Sequence, residues 1–225
     1  MNRSELTVML THNDFTVKNA SDIFESCKYS QAKFWGFKEQ GIPKEEMKQL
    51  YSYMKSCGKT TFLEVVEYDE EKGLQGAQIA AECGCDILMG TTYFDSIHNF
   101  CKLNNLKYMP FVGKISGRPS LLEGDIDDMV QEANDYLNKG VYGIDLLGYR
   151  YIGDADELIT TFVKNVSGPV CVAGSIDNYD KLDLIKNASP WSFTIGSAFF
   201  DNKFDGSFLE QINKVHEYMD KEKII

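Results

Sequence analysis

The chain has 225 residues, 43% hydrophobic and 25% charged, enough for one large domain with a full apolar core and no need of disulfides or a structural metal, which excludes a disordered chain. Its formal net charge of -11 repels polyanions and no dense Lys/Arg stripe offsets it, so no nucleic-acid partner is expected; a phosphate group stays compatible, because backbone N–H groups at loops and helix starts supply local positive potential. No apolar run approaches the roughly 18 residues of a membrane span and residues 1–11 lack the pattern of a signal peptide, so a cytoplasmic protein without membrane contact is expected.

Short β-branched apolar runs alternate with longer amphipathic segments, the pattern of repeated βα units around a parallel sheet. The predicted strands are 6–11, 33–38, 61–66, 86–90, 108–112, 143–147, 170–173 and 192–195. Helices are expected over 17–29, from Pro43 onward, through 76–82, near 95–103, after the acidic run 125–128, after each later strand, and finally over 207–221. Pro43 suits a first helical turn, and Gly58 and Gly84 fall where helices should stop. Residues 113–120 form the longest irregular connection, long enough for a functional loop. Eight units favour closure into a single (β/α)8 TIM barrel of class α/β spanning 1–225; an open doubly wound sheet usually stops at five or six strands and often carries GxGxxG, which is absent.

In such a barrel the loops after the strands build the active face. Strand seven ends in Val172-Ala173-Gly174-Ser175-Ile176 and strand eight in Thr194-Ile195-Gly196-Ser197-Ala198. Glycine allows close backbone approach, serine adds a hydroxyl donor and a following helix adds its dipole, so Gly174, Ser175, Gly196 and Ser197 are read as a phosphate site. A single Gly-Ser would read as a tight turn; two on adjacent final strands favour the anion.

These residues resemble the ribulose-phosphate-binding barrels, whose corresponding segments commonly read apolar-Ala/Ser-Gly-Gly-Ile and Val-Gly-Ser/Thr-Ala and hold the substrate phosphate on their backbones. Here Ser175 stands where a second glycine is usual, and the motif-level likeness covers about the last quarter of the chain. Gly36-Phe37-Lys38, Leu63-Glu64-Val65-Val66, Gly148-Tyr149-Arg150 and the Ala-Gly-Ser-Ile turn also resemble a bacterial branch of such barrels, a likeness that brings no activity with it.

Candidate chemistry lies at the other strand ends. Lys38 closes strand two, where an apolar barrel edge could depress its pKa and make it a base, electrophile or Schiff-base amine; a solvent-facing loop lysine is the other reading. Glu64 and Asp145 are acids inside apolar strands, costly to bury without a partner, and each reads either as a reacting group or as half of an ion pair, Glu64 with Lys38 and Asp145 with Lys38 or Arg150. Glu67 is expected to face away at the rim. Asn13 and Arg150 suit hydroxyl and anion binding, Lys114 and Arg118 suit a clamp on the strand-five loop unless that loop is simply solvated, and Asp14 is expected to cap the first helix.

His12, His98 and His216 form no ligand set, the six cysteines form no CxxC pair and read as buried thiols, and no hydrolase elbow or P-loop occurs, so no metal or cofactor is expected. The sequence thus predicts an isomerase, epimerase or lyase for a small phosphorylated metabolite, with Lys38, Glu64 and Asp145 catalytic. The alternative is a non-catalytic sensor resembling the glycerol-3-phosphate-responsive antiterminators. The oligomeric state stays open, a homo-oligomer included.

Overall fold

A computed structural model describes residues 3–221. Its eight core strands are β1 (Glu5–Met9), β2 (Phe34–Lys38), β3 (Thr60–Val65), β4 (Ile87–Gly90), β5 (Lys107–Met109), β6 (Ile144–Leu146), β7 (Val170–Val172) and β8 (Ser192–Ile195). They form one parallel sheet in the order β6-β7-β8-β1-β2-β3-β4-β5, in which β8 returns to β1 and only β5 and β6 are not joined by a ladder. Across the remaining seam, Tyr142 donates its N–H to Tyr108 O at 3.0 Å and Asp145 to Pro110 O at 3.0 Å, closing the ring. The helices are α1 (Ala20–Cys27), α2 (Lys44–Ser56), α3 (Glu70–Cys83), α4 (Asp95–Leu103), α5 (Ile126–Lys139), α6 (Ala155–Asn165), α7 (Tyr179–Ala188), the short α8 (Ser197–Phe200) and α9 (Phe208–Asp220). The architecture is the expected (β/α)8 barrel.

Strand periodicity decides which side chains enter the barrel, because successive residues face opposite sides. Trp35 and Phe37 of β2, Leu63 and Val65 of β3, and Ile144 and Leu146 of β6 pack into the large apolar layer shared with the helices, whereas Phe34, Phe62, Met109 and Cys171 belong to the inner cluster. The same alternation places Lys38, Glu64 and Asp145 inside. Gly36, two residues before Lys38 on the same face of β2, leaves room for its neighbours: a Cβ there would meet Phe62 Cβ at 2.8 Å and Met9 Sδ at 2.9 Å. Outside the wall, Phe37 stacks on Tyr51 with ring centroids 4.3 Å apart, and the Tyr51 hydroxyl donates to Phe62 O at 2.8 Å. Truncating a ring such as Phe37 typically costs about 3–5 kcal/mol.

Helix ends follow their local chemistry. Asp69, Asp125, Asp154 and Asn178 accept N–H groups at the starts of α3, α5, α6 and α7, and Ser207 with Glu210 makes a full capping box on α9, each cap contributing typically about 1 kcal/mol. Pro43 is the residue before α2 and not its first turn. Strand β5 ends earlier than expected because Pro110 cannot donate to a ladder.

Two segments depart from the sequence reading. The connection 113–120 is not irregular: Lys114–Ser116 and Leu121–Glu123 form an antiparallel hairpin, and Leu122, wholly buried, ties it to the core. A second hairpin pairs Thr11–His12 with Phe15–Thr16. Its two-residue turn, Asn13 and Asp14, has φ of 50° and 67°, the primed-turn geometry that Asn and Asp tolerate best among non-glycine residues.

Candidate active site

The small hairpin sets the site, because it folds over the end of β2. Thr16 Oγ1 donates to Lys38 O at 2.7 Å and accepts from Lys38 N at 3.0 Å, locking the hairpin to the strand end. The turn then presents Asp14, whose Oδ1 lies 2.8 Å from Lys38 Nζ. Asp14 is therefore not the helix cap that its sequence position implied; α1 starts only at Ala20. On the neighbouring strand, in register with Lys38, Glu64 brings Oε2 to 4.0 Å from the same ammonium. Both side chains are largely enclosed, with 13% and 15% of their surfaces exposed.

The expectation of a depressed Lys38 pKa is corrected here. Burial alone would lower it, but Glu64 and Asp14 outweigh that effect and hold the ammonium above its ordinary value. Lys38 is accordingly a stable cation, suited to polarising an oxygen and unsuited to acting as a free amine or base at neutral pH. The opposite holds for Asp145. It is fully buried, and neither carboxyl oxygen has a hydrogen-bond partner. Burial first and the Glu64 charge second push it well above the usual carboxylate range, against the pull of Lys38. Burial thus favours the protonated form of Asp145, and among the described residues its expected ion pair with Lys38 or Arg150 does not form.

Glu39, the residue after Lys38, did not stand out in the sequence. Its buried Oε2 has no partner, and its pKa rises to about 7, chiefly through burial and the charges of Glu64 and Glu67, against its own backbone hydrogen bond and Lys38. The signals for the two missed residues were present: Asn-Asp between Thr-His and Phe-Thr is a hairpin turn, and an acid directly beyond a strand end falls on the active face.

At the rim, Arg118 donates to Val66 O at 2.6 Å and Glu67 Oε1 at 2.9 Å, so Glu67 turns towards this loop. Lys114 is exposed and pairs across its own hairpin with Glu123 at 3.7 Å. Arg150 ends a 3-10 turn after β6. Its side chain packs on Gly174, where a Cβ would meet Arg150 Cγ at 2.8 Å, and its charge acts on Asp14 together with that of Arg118. Arg150 forms no side-chain hydrogen bond or ion pair among the described residues.

The first Gly-Ser turn lies against Arg150, and the second packs on the end of β1, at Met9 and Thr11. Gly174 and Ser175 both have positive φ, 95° and 46°, and their N–H groups donate to no described residue. Gly196 precedes α8, so Ser197 and Ala198 stand at a helix start with their N–H groups similarly uncommitted. Asn13 N reaches Ser197 Oγ at 3.4 Å, joining this end to the Asp14 turn. Lys181 Nζ meets Ser175 O at 2.5 Å and Asp177 Oδ1 at 2.9 Å, holding the first turn from below. A short extra helix after the last strand is the usual companion of a phosphate site in this architecture. Among the described residues no group of three or more His, Cys, Asp or Glu is placed to hold a metal ion, and no helix is long and apolar enough to cross a membrane.

No protein-family model matches the sequence, and no curated protein matches it in sequence. Solved structures do match its shape. Orotidine 5'-monophosphate decarboxylase from Methanocaldococcus jannaschii, complexed with the inhibitor BMP, superposes with a TM-score of 0.73 at 15% identity over 98% of this chain and 100% of that one. N-(5'-phosphoribosyl)anthranilate isomerase from Pyrococcus furiosus gives 0.65 at 11% identity over 96% and 98%. Tryptophan synthase alpha chain from Legionella pneumophila gives 0.65 at 12% identity over 99% and 94%. The likeness thus extends over the whole architecture: this chain shares the (β/α)8 barrel fold of these enzymes.

Proposed function

We propose that the protein is an enzyme that anchors a small phosphate ester at the ends of β7 and β8 and moves a proton next to a carbonyl at the ends of β2, β3 and β6. The observation that carries this reading is the enclosed cluster of Lys38, Glu64 and Asp145, in which a fully buried carboxyl has both oxygens unpaired. Leaving such a group without a partner costs a fold about 1–3 kcal/mol, a cost that a purely structural role does not explain and that a bound ligand removes. A pure sensor has no need of a cation and acids with separated protonation states at one point, whereas acid–base chemistry does. The barrels that match the shape include two enzymes named for 5'-phosphate substrates.

In this reading Glu64 takes the proton from the carbon beside the carbonyl, and the C–H electron pair becomes the C=C bond of an enediol. The negative charge that develops on the carbonyl oxygen lies against the Lys38 ammonium, which strengthens its interaction as the charge grows. Asp145, in the protonated form that its burial favours, donates a hydrogen bond to a ligand oxygen. Glu39, half-protonated near pH 7, exchanges the proton with solvent. For an isomerisation the former carbonyl oxygen takes up a proton, the other enediol hydroxyl gives one up, and Glu64 returns its proton to the neighbouring carbon; for an epimerisation a second acid protonates the original carbon from the opposite face and Glu64 keeps the proton it took. The phosphate stays fixed by Gly174, Ser175, Gly196, Ser197 and Arg150, so its binding energy orients the reacting carbons. The raised pKa of Lys38 favours this route over a Schiff-base aldol cleavage. Incubation with phosphorylated aldoses and ketoses in D2O tests it: solvent deuterium should enter the carbon beside the carbonyl, and Glu64→Gln should abolish that exchange. Exchange that persists unchanged in this variant would refute the assignment.

A further inference from the structure

Building on the phosphate-anchored reading, we infer that the ligand carries a single anionic group: its reacting end is an uncharged hydroxy-aldehyde or hydroxy-ketone, and phosphorylated carboxylic acids are excluded. Most cations around the strand ends are already committed to protein partners. Lys38 is taken by Asp14 at 2.8 Å, with Glu64 at 4.0 Å. Arg118 is held by Glu67 and Val66 O, Lys114 by Glu123, and Lys181 by Asp177 and Ser175 O. Of these cations only Arg150 has no such partner among the described residues, and it lies against Gly174, at the phosphate end.

At the opposite end the ligand meets Glu64 and the unpartnered, fully buried Asp145, with Asp14 and Glu39 close behind. A second full carboxylate charge placed there would have to share the Lys38 ammonium with Asp14 and Glu64, which already surround it, and would lie close to those two like charges, where an interaction in a partly screened site changes affinity by at least about tenfold. A carbonyl instead accepts from Lys38 or from protonated Asp145, and a hydroxyl can in addition donate to Glu64. Charge along the cleft therefore runs from a positive anchor to an acidic reacting end, matching a ligand with its charge at one tip.

The test uses a matched pair of probes, glycerol 3-phosphate and 3-phosphoglycerate, which differ only in a terminal CH2OH against a carboxylate, with inorganic phosphate as reference, each titrated calorimetrically into the whole protein. We expect 3-phosphoglycerate to bind at least about tenfold more weakly than glycerol 3-phosphate, and the gap to narrow in Glu64→Gln. Asp14→Asn, a change on an exposed turn, should narrow it as well, which keeps the test usable if the buried substitution impairs folding. Equal or tighter binding of 3-phosphoglycerate, with inorganic phosphate still bound, would overturn the inference and leave the anchor intact. No binding of inorganic phosphate or of either ester would overturn the anchor itself, and the inference with it.

Discussion

Asp14 and Lys38, 24 residues apart, meet at 2.8 Å because a two-residue turn on one strand end folds across the next. The contact gives a buried ammonium an exposed counter-ion, while Glu64 supplies a second charge from within the barrel wall. Asp14→Asn should therefore lower the Lys38 pKa, read from the NMR titration of the lysine side chain. The loss of stability should stay within about 1 kcal/mol, since the aspartate side is half open to solvent. An unchanged Lys38 titration would mean that Glu64 alone holds the ammonium.

Asp145 makes stability depend on pH in a direction opposite to most carboxylates. Its folded pKa lies above its unfolded value, so the stabilisation it allows is full below about pH 4, the ordinary carboxylate value, and is lost as pH rises from there through the folded pKa. Glu39 contributes the same sign between its ordinary value and about 7. Denaturant midpoints should fall over this range in the wild type, and Asp145→Asn and Glu39→Gln should each flatten the slope. A slope unaffected by both substitutions would contradict the assignment.

The pH dependence of turnover should carry the mark of Glu39. Because this carboxyl loses its proton near pH 7, kcat/KM is expected to rise with pH through that value when the group relays protons outward. In Glu39→Gln the inflection should disappear while substrate affinity changes little. Retention of the same inflection would assign it elsewhere.

The anchor is open to two independent changes. Arg150→Ala removes the uncommitted guanidinium and should weaken inorganic phosphate binding roughly tenfold or more, as expected for loss of a charge-assisted contact, with little change in melting temperature. Gly174→Ala acts differently: at φ 95° an alanine is strained, and its Cβ would press on Arg150 Cγ. It should cost about 1–3 kcal/mol of stability and weaken phosphate binding as well. Full phosphate affinity in both variants would remove the β7 and β8 ends from the site.

Much of this was readable from local pattern. Alternating strand and helix periods determined the barrel, since a period-2 run such as Phe62-Leu63-Glu64-Val65 can satisfy both an apolar helix layer and an inner wall only in one orientation. The same run marked Glu64 as an acid that must be explained, and Asp145 likewise within Ile144-Asp145-Leu146. The Gly-Ser pair at the ends of β7 and β8 was equally legible, because close backbone approach and a helix start are local properties.

What the sequence could not determine were relations between groups brought together by closure. Protonation is set by burial and by charges that arrive from other strands, so the same lysine could be read as a base until Asp14 and Glu64 were seen around it, and Asp145 as an ion-pair partner until its oxygens were seen alone. Asp14 was read as a helix cap and Glu39 passed over for the same reason: local sequence marks a hairpin turn and a strand end, but not that the turn folds over Lys38 or that the charges of Glu64 and Glu67 act on Glu39. Strand pattern is written residue by residue along the chain; the electrostatics of the site exist only where distant parts of the chain share one low-dielectric space.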